Sequence, residues 1–239
     1  MGAKCRAMII DAHAHLLAPP SLYAYRSMVI VSGVQHGSAL AGVSDDELRT
    51  AADGNVKLMD EVGTDVQFIS PRPFMLINRG RLSDAQLWAR SNNELIAKTI
   101  GFHPTRFRGV AALPQLAGQP VEVVFDEIDY AIEHLGFIGV LLNPDPGEGV
   151  EQTPTLADPY WFPLYERAQE LGIGLIVHPA GTFDRRVEHI TNNYQFANVV
   201  EEYIATQLLT QTNVLERFPN LRITICHCGG SLDRWIKTD

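Results

Sequence analysis

Met8-Ile9-Ile10-Asp11-Ala12-His13-Ala14-His15 is the stretch of sequence that decides the fold of this chain. Its apolar residues predict a first β-strand, and two histidines two positions apart close it. Successive side chains of a strand alternate between its faces, so His13 and His15 are expected to project from the same face. Two imidazoles on one face can share one divalent cation. Taken alone, such a pair is more often simply two polar residues where a strand enters a loop.

The composition of the chain narrows the class of protein. Its 239 residues are 46% hydrophobic and the mean hydropathy is -0.03, which suits a globular fold with a large core. The net charge of -9 and the pI of about 5.3 argue against nucleic acid and an anionic membrane as partners. No stretch is apolar over the ~18 residues that a membrane-spanning helix requires. An acidic substrate would need locally placed arginine, histidine or metal.

Three cysteines, an odd and small number, do not form a disulfide framework, so a reducing cytoplasm is the expected location. Residues 1–7 lack the apolar core of a signal peptide and are expected to be a short disordered lead-in. No change in composition marks a second domain. Residues 8–239 are therefore predicted to form a single domain.

Segments of strand character alternate with segments of helical character along this domain. Short apolar strands are predicted over residues 8–15, 65–70, 107–113, 138–142, 173–177 and 221–225. Helices are predicted over residues 44–62, 83–100, 121–135 and 159–171, with capping boxes opening the first two at Ser44 and Ser83. Residues 193–218 are predicted to be mostly helical. Residues 16–43 are rich in Pro, Ser, Tyr and Gly and are predicted to be an irregular functional loop.

The alternation predicts an α/β fold with a parallel sheet covered by helices. A doubly wound sheet and a (β/α) barrel both fit this pattern. No glycine-rich phosphate loop follows the first strand, which counts against the doubly wound dinucleotide-binding fold. Polar residues instead recur where the predicted strands end, as a TIM-type barrel requires of its active site: His13, His15, Arg72, Asn143, His178 and His227.

Four of these strand-end residues are histidines. A catalytic zinc site takes three protein ligands and keeps one position open, and His13, His15 and His178 are the predicted ligands. His227 is then predicted to act as the general acid or base. His178 or His227 alone could be an ordinary core histidine. The joint placement of all four at strand ends favours a metal site.

The motifs Ile10-Asp-Ala-His-Ala-His15, Val177-His178 and Cys226-His-Cys-Gly-Gly230 resemble the amidohydrolase superfamily. More narrowly, they resemble its branch of hydratases of oxalomesaconate-type acids and decarboxylases of muconate-type and aromatic acids. Ser70-Pro-Arg72 and Leu142-Asn-Pro-Asp-Pro146 are similar to the hydratases in order and spacing. The resemblance covers nearly the whole chain from residue 8. It implies one divalent metal ion, usually zinc, on the three predicted histidine ligands, with the fourth histidine beside the reacting carbon.

The resemblance also implies roles for other residues. Arg72 would grip a substrate carboxylate, although such an arginine is also common in surface salt bridges. Asn143 would bind substrate, or it is simply a turn residue before a proline. Tyr194 falls where the hydratases have a tyrosine near the site and is the second catalytic candidate. Arg185 and Arg186 are further carboxylate-binding candidates, or a solvated pair of loop charges.

One departure from the family pattern concerns the last part of the barrel. The family barrel has eight strands and a carboxylate metal ligand at the end of the eighth, whereas this sequence ends at Asp239, after the sixth. An incomplete barrel with strands 1–6 of 8 is therefore expected, with two unpaired sheet edges. A truncated product, a fragment of a longer gene and a chain completed by a partner all agree with this expectation.

The expected activity is that of a metal-dependent lyase or hydrolase in the catabolism of aromatic compounds. The preferred interpretation is a hydratase of a small unsaturated keto-acid derived from ring cleavage. The alternatives are a decarboxylase of an aromatic or muconate-type acid, a hydrolase, or a catalytically inactive truncated fragment. The expected partner is a small carboxylate substrate, with no nucleic acid and no membrane, and homo-oligomerisation is left open.

Overall fold

A computed structural model describes residues 7–17, 19–33, 41–181, 189–190 and 193–231, without the side chains of residues 193, 194 and 231. Apart from residue 7, the predicted lead-in lies outside these residues. The described chain contains six strands: β1 Ile10–His15, β2 Val66–Ser70, β3 Phe107–Ala111, β4 Gly139–Leu142, β5 Gly174–Val177 and β6 Arg222–Ile225. Each matches a predicted strand.

All neighbouring strands are parallel, and their order in the sheet is β1-β2-β3-β4-β5-β6. A doubly wound sheet changes direction at a switch point, whereas a barrel adds each strand beside the one before it. The sheet is also strongly curled. Adjacent strands lie about 4.8 Å apart, so a flat sheet would separate β1 from β6 by about 24 Å. The ring centroids of His13 in β1 and His227 after β6 are 4.7 Å apart. The predicted barrel architecture is confirmed as a curled half-barrel.

In the described part of the chain, seven right-handed α-helices connect and cover the strands: α1 Pro20–Ser32, α2 Asp45–Val62, α3 Leu82–Phe102, α4 Phe125–Asp129, α5 Phe162–Leu171, α6 Asn193–Thr210 and α7 Val214–Arg217. The segment Cys226–Ser231 turns with the opposite, left-handed conformation. Short 3₁₀ segments occur at Pro73–Met75, Val121–Val124 and Pro159–Trp161, and a π-helical turn follows α4 at Tyr130–His134. Among the described residues, no helix is both long and apolar enough to cross a membrane.

The core is formed on both faces of the central strands. Alternate residues such as Ala111, Leu142 and Val177 belong to a large buried cluster that includes helix side chains. Their neighbours Leu141 and Ile176 belong to a second buried cluster. Strands buried on both faces are typical of parallel sheets, and they explain why these segments are continuously apolar in the sequence.

The helix that starts after Ser44 is confirmed in detail. Ser44 Oγ accepts a hydrogen bond from the Glu47 backbone N–H at 3.3 Å, and the Glu47 carboxylate accepts one from the Ser44 N–H at 3.2 Å. Gly63 ends the helix with a φ of 81°. A left-handed conformation at this position is easily adopted by glycine, which has no Cβ.

Two predictions about the helices were wrong. The supposedly irregular segment 16–43 contains α1, which is apolar all round and carries Arg26 as its one charged residue, so it has no amphipathic period to reveal it. The capping box at Ser83 does not form, because α3 begins at Leu82, where Arg81 pairs with Asp84 at 2.9 Å. The segment 193–218, predicted to be mostly helical, contains α6 and α7, with a short break between them.

Candidate metal centre

Four histidine rings converge where β1, β5 and β6 end. The ring centroid of His13 lies 4.9 Å from that of His15 and 5.0 Å from that of His178, and the last two are 5.4 Å apart. The ring of His227 lies 4.7 Å from His13 and 5.0 Å from His178. The structure therefore brings together all four histidines that the sequence placed at strand ends.

An irregularity in β1 shapes the approach to this cluster. Asp11 pairs with Gln67 and Ala14 pairs with Ile69, so β1 carries one more residue than β2 over the same interval. Asp11 Oδ1 accepts a hydrogen bond from the His13 backbone N–H at 3.1 Å, and its Oδ2 accepts one from Gln67 Nε2 at 2.9 Å. Bulges of this kind redirect side chains next to functional sites.

Hydrogen bonds assign the proton of two imidazoles. His178 Nδ1 lies 2.7 Å from the carbonyl oxygen of Pro179, which can only accept, so Nδ1 carries the hydrogen. His15 Nδ1 lies 3.0 Å from Ser70 Oγ, and Ser70 donates its own hydrogen to the Ala14 carbonyl at 3.0 Å. His15 Nδ1–H is therefore the donor to Ser70. In both histidines Nε2 keeps a free lone pair.

Burial keeps three of the four clustered histidines neutral: His13, His15 and His178. It lowers the pKa of His178 to about 3 and that of His15 to about 4, because the protein interior disfavours the charged imidazolium. The pKa of His13 is also lowered, first by burial and then by the charge of His227. Neutral imidazole is the form that binds a metal ion, so these groups need release no proton at pH 7.

The donor geometry fits a divalent cation. One nitrogen from each of His13, His15 and His178 lies within 4.8 Å of the other two. The Nε2 atoms of His13 and His15 are 3.2 Å apart. Two nitrogens bound tetrahedrally to one zinc ion at its usual bond length are separated by about 3.3 Å. The three histidines are therefore suited to hold one metal ion.

His227 has a carboxylate partner. Its Nδ1 lies 2.8 Å and 3.1 Å from the two carboxylate oxygens of Glu202, which is 0% exposed in the middle of α6. This hydrogen bond raises the pKa of His227, and burial raises the pKa of Glu202. The sequence analysis missed Glu202 as a functional residue. The one indication in the sequence is its spacing, since Glu202 shares a helical face with Ala205 and Leu209, and the structure shows this face of α6 to be buried.

A left-handed turn places His227 against that helix. Residues from His227 to Gly230 all have positive φ, rising from 45° to 70°. A Cβ at Gly230 would lie 2.4 Å from both the Val199 carbonyl oxygen and the Tyr203 nitrogen, so only glycine permits this approach to α6. A non-glycine residue such as His227 in this region is strained, which is common at functional sites.

Of the other predicted site residues, the structure describes the side chains of Arg72 and Asn143. Arg72 is half-buried after β2, and its buried Nε has no hydrogen-bond partner within the part of the chain that the structure describes. Asn143 is fully buried; its Oδ1 accepts a hydrogen bond from the Asp145 N–H at 3.1 Å, as a turn residue would. The side chain of Tyr194, together with Arg185 and Arg186, lies outside the described residues.

A curled parallel sheet with histidines gathered at the carboxyl ends of its strands is the architecture that the sequence motifs indicated. The amidohydrolase family matches residues 10–238, and the chain belongs to this family. The resemblance drawn from His13, His15, His178 and His227 is confirmed at the level of the family.

Known relatives are hydratases and decarboxylases. A 2-keto-4-carboxy-3-hexenedioate hydratase of Sphingobium sp. is 34% identical over 230 residues, which cover 94% of this chain and 66% of that protein. A γ-resorcylate decarboxylase of Polaromonas sp. is 28% identical over 208 residues, covering 78% of this chain and 61% of that protein. The chain thus spans less than two thirds of the length of these relatives, at 66% and 61%.

Two solved structures share the fold. The 4-oxalomesaconate hydratase of Rhodopseudomonas palustris superposes with a TM-score of 0.82 at 28% identity, covering 96% of this chain and 66% of that chain. A dihydroxybenzoic acid decarboxylase of Polaromonas sp., with bound manganese and the inhibitor 2-nitroresorcinol, gives a TM-score of 0.66 at 22% identity. This second match covers 96% of this chain and 68% of that chain, and at its identity it shows the fold alone.

Proposed function

We propose that this protein is a metal-dependent lyase that adds water across the double bond of a small unsaturated keto-acid. The observation that carries the proposal is the cluster of His13, His15 and His178, with His227 and its carboxylate partner beside it. Similarity to two hydratases, one in sequence and one in structure, supports a hydratase within the amidohydrolase family.

The metal ion is proposed to bind through His13, His15 and His178, and zinc is the preferred ion because imidazole nitrogens suit it. A divalent cation held there would supply Lewis acidity toward an oxygen of the substrate. Manganese is the rival ion, since a decarboxylase of the same fold contains it. The metal content of the purified protein distinguishes the two.

Arg72 is proposed to bind a carboxylate of the substrate. Its buried Nε–H lacks a partner among the described residues, and a buried donor of this kind is best satisfied by a charged acceptor. Arg72 follows β2 at the same edge of the sheet as His15, and its charge is a smaller cause, after burial and His13, of the lowered pKa of that imidazole. A substrate held by Arg72 is therefore adjacent to the histidine cluster. Asn143 is a second binding candidate, because its buried Nδ2 has no hydrogen-bond partner among the described residues.

His227 is proposed to move the proton of the reaction. Hydration forms a carbon–oxygen bond at one alkene carbon and a carbon–hydrogen bond at the other, so one group must take and return a proton. Nδ1 of His227 is engaged by Glu202, which leaves Nε2 as the nitrogen for this exchange. Tyr194 remains a second proton-transfer candidate, supported by the resemblance alone.

The test is whether metal-loaded protein turns over an oxalomesaconate-type acid. Loss of alkene absorbance measures hydration, and a separate assay measures any release of carbon dioxide. Hydration without carbon dioxide supports the proposal. The matched variants are Arg72→Lys, which keeps the charge but loses the bidentate fork, and Arg108→Lys on β3, whose guanidinium donates to the Pro104 carbonyl. Only the first should raise the KM.

A second candidate function is decarboxylation of an aromatic or muconate-type acid. It is favoured by the 28% identity to a γ-resorcylate decarboxylase. Release of carbon dioxide from such an acid, with no hydration of the keto-acid, would replace the first proposal by this one. A protein that binds no metal and turns over neither substrate would instead be the inactive fragment.

The setting of the reaction is proposed to be the cytoplasm, since Cys226 and Cys228 are both free thiols. The single domain is proposed to span residues 8–239. A small carboxylate is the proposed partner, and the net charge of -9 supports neither nucleic acid nor an anionic membrane. Light scattering of the purified chain would establish whether it forms a homo-oligomer.

A further inference from the structure

Glu202 is an unusual residue to bury. A fully buried carboxylate in the middle of a helix is costly unless it is paired, and the partner that the structure gives it is His227. Both carboxylate oxygens lie within hydrogen-bond distance of the same nitrogen, at 2.8 Å and 3.1 Å. These contacts fix the orientation of the His227 ring, with Nδ1 facing the Glu202 carboxylate.

The backbone around His227 also supports its pairing with Glu202. The left-handed turn from His227 to Gly230 lies directly on α6, because the missing side chain of Gly230 lets it approach Val199 and Tyr203. Glu202 lies between those two contact residues on α6. The conformation of the turn and the burial of the carboxylate therefore both serve to hold one imidazole.

A metal-ligand role for Glu202 is the main rival. His178, Glu202 and His227 also offer three ligand atoms within 4.8 Å of one another. His178, however, has only Nε2 available, because its Nδ1 donates to the Pro179 carbonyl. That single nitrogen already belongs to the cluster with His13 and His15, so it cannot bind a second ion at the same time. The hydrogen bond to His227 is the role that the geometry favours.

We propose that Glu202 is the positioning residue of His227: it holds the hydrogen on Nδ1 and leaves Nε2 as the nitrogen that exchanges a proton with the substrate. The proton exchange rests on the proposed function, whereas the hydrogen on Nδ1 does not. Carboxylate partners of this kind fix the tautomer and orientation of functional histidines.

The test is the tautomer of His227, read from long-range proton–nitrogen spectra of the full chain labelled with ¹⁵N-histidine, at a pH where imidazole is neutral. The wild-type protein should show the Nδ1–H form at His227. Glu202→Gln, of the same shape but neutral, should lose this form in part or whole. Glu201→Gln, the same change one residue earlier on α6, is the matched control and should leave the spectrum unchanged.

Gly230→Ala provides a second variant, because it leaves Glu202 in place and pushes the turn away from α6. It should shift the His227 tautomer in the same direction. In the zinc-loaded protein, Glu202→Gln should lower kcat by roughly 10–100-fold with little change in KM, and should retain the metal.

Three results would overturn the assignment: an Nε2–H form of His227 in the wild type, a spectrum unchanged by Glu202→Gln, or loss of the metal ion in that variant. The last result would make Glu202 a metal ligand. If the wild type shows the Nδ1–H form but hydrates no keto-acid, the hydratase proposal fails and the positioning of His227 by Glu202 stands.

Discussion

Replacing Ser70 with alanine should weaken metal binding while leaving the protein folded. Ser70 is 3% exposed, and its Oγ accepts the hydrogen bond from His15 Nδ1 at 3.0 Å. Without that acceptor the His15 Nδ1–H keeps only the backbone carbonyl of Pro71 as a hydrogen-bond partner, so the ring is held less firmly in the tautomer that leaves the Nε2 lone pair for a metal.

The magnitude follows from the number of hydrogen bonds lost at His15. Removing a partner that orients a metal ligand typically lowers metal affinity by roughly 10–100-fold, which is about 1.4–2.8 kcal/mol. The loss of the hydrogen bond between His15 and Ser70 should also lower the free energy of unfolding of the metal-free protein by about 0.5–1.5 kcal/mol. Competition with a fluorescent zinc chelator measures the first effect, and urea unfolding measures the second.

Ser91→Ala is the matched control for Ser70→Ala. Ser91 is also a buried serine, at 1% exposure, but its Oγ has no hydrogen-bond partner among the described residues. Its replacement should leave zinc affinity unchanged and should not destabilise the fold. Equal zinc affinity in the wild type and in Ser70→Ala would refute the assignment of His15 as an oriented ligand.

Two further predictions concern stability and reactivity. Ser44→Ala removes the capping box with Glu47 and should lower the free energy of unfolding by about 1 kcal/mol, seen as a lower urea midpoint at an unchanged m-value; an unchanged midpoint would contradict it. Burial raises the pKa of the Cys226 thiol to about 12, whereas Cys228 is exposed. Alkylation of the native protein at pH 8, followed by mass spectrometry of its peptides, should therefore label Cys228 and spare Cys226. Equal labelling of both would be inconsistent with this packing.

The strands and the positions of the clustered histidines could be predicted because each depends on a local pattern. A run such as Gly174–Val177 is apolar on both faces, and His178 follows it directly, so the place where the strand ends also locates this histidine. Parallel strands bring such ends to one side of the sheet. Convergence of His13 with His178 therefore follows from the fold class alone.

The features that could not be predicted from the sequence depend on contacts between residues that lie far apart in the chain. Helix α1 has no polar face, and the bulge in β1 is visible only in its pairing with β2. Glu202 was not singled out from the sequence, because the residue that it contacts, His227, lies 25 positions later in the chain. The tautomers of His15 and His178 likewise depend on Ser70 and a backbone carbonyl, which only the folded chain brings within reach.

The three-histidine site is tested most directly by the metal content of the purified protein and of two histidine variants, measured by inductively coupled plasma mass spectrometry. The wild type should carry close to one divalent ion per chain, and His178→Ala should lose it. His103→Ala should retain it, because His103 pairs with Asp53 at 2.7 Å and is not one of the clustered histidines. A wild type without metal, or a His178→Ala variant that binds it as tightly as the wild type, would contradict the three-histidine site.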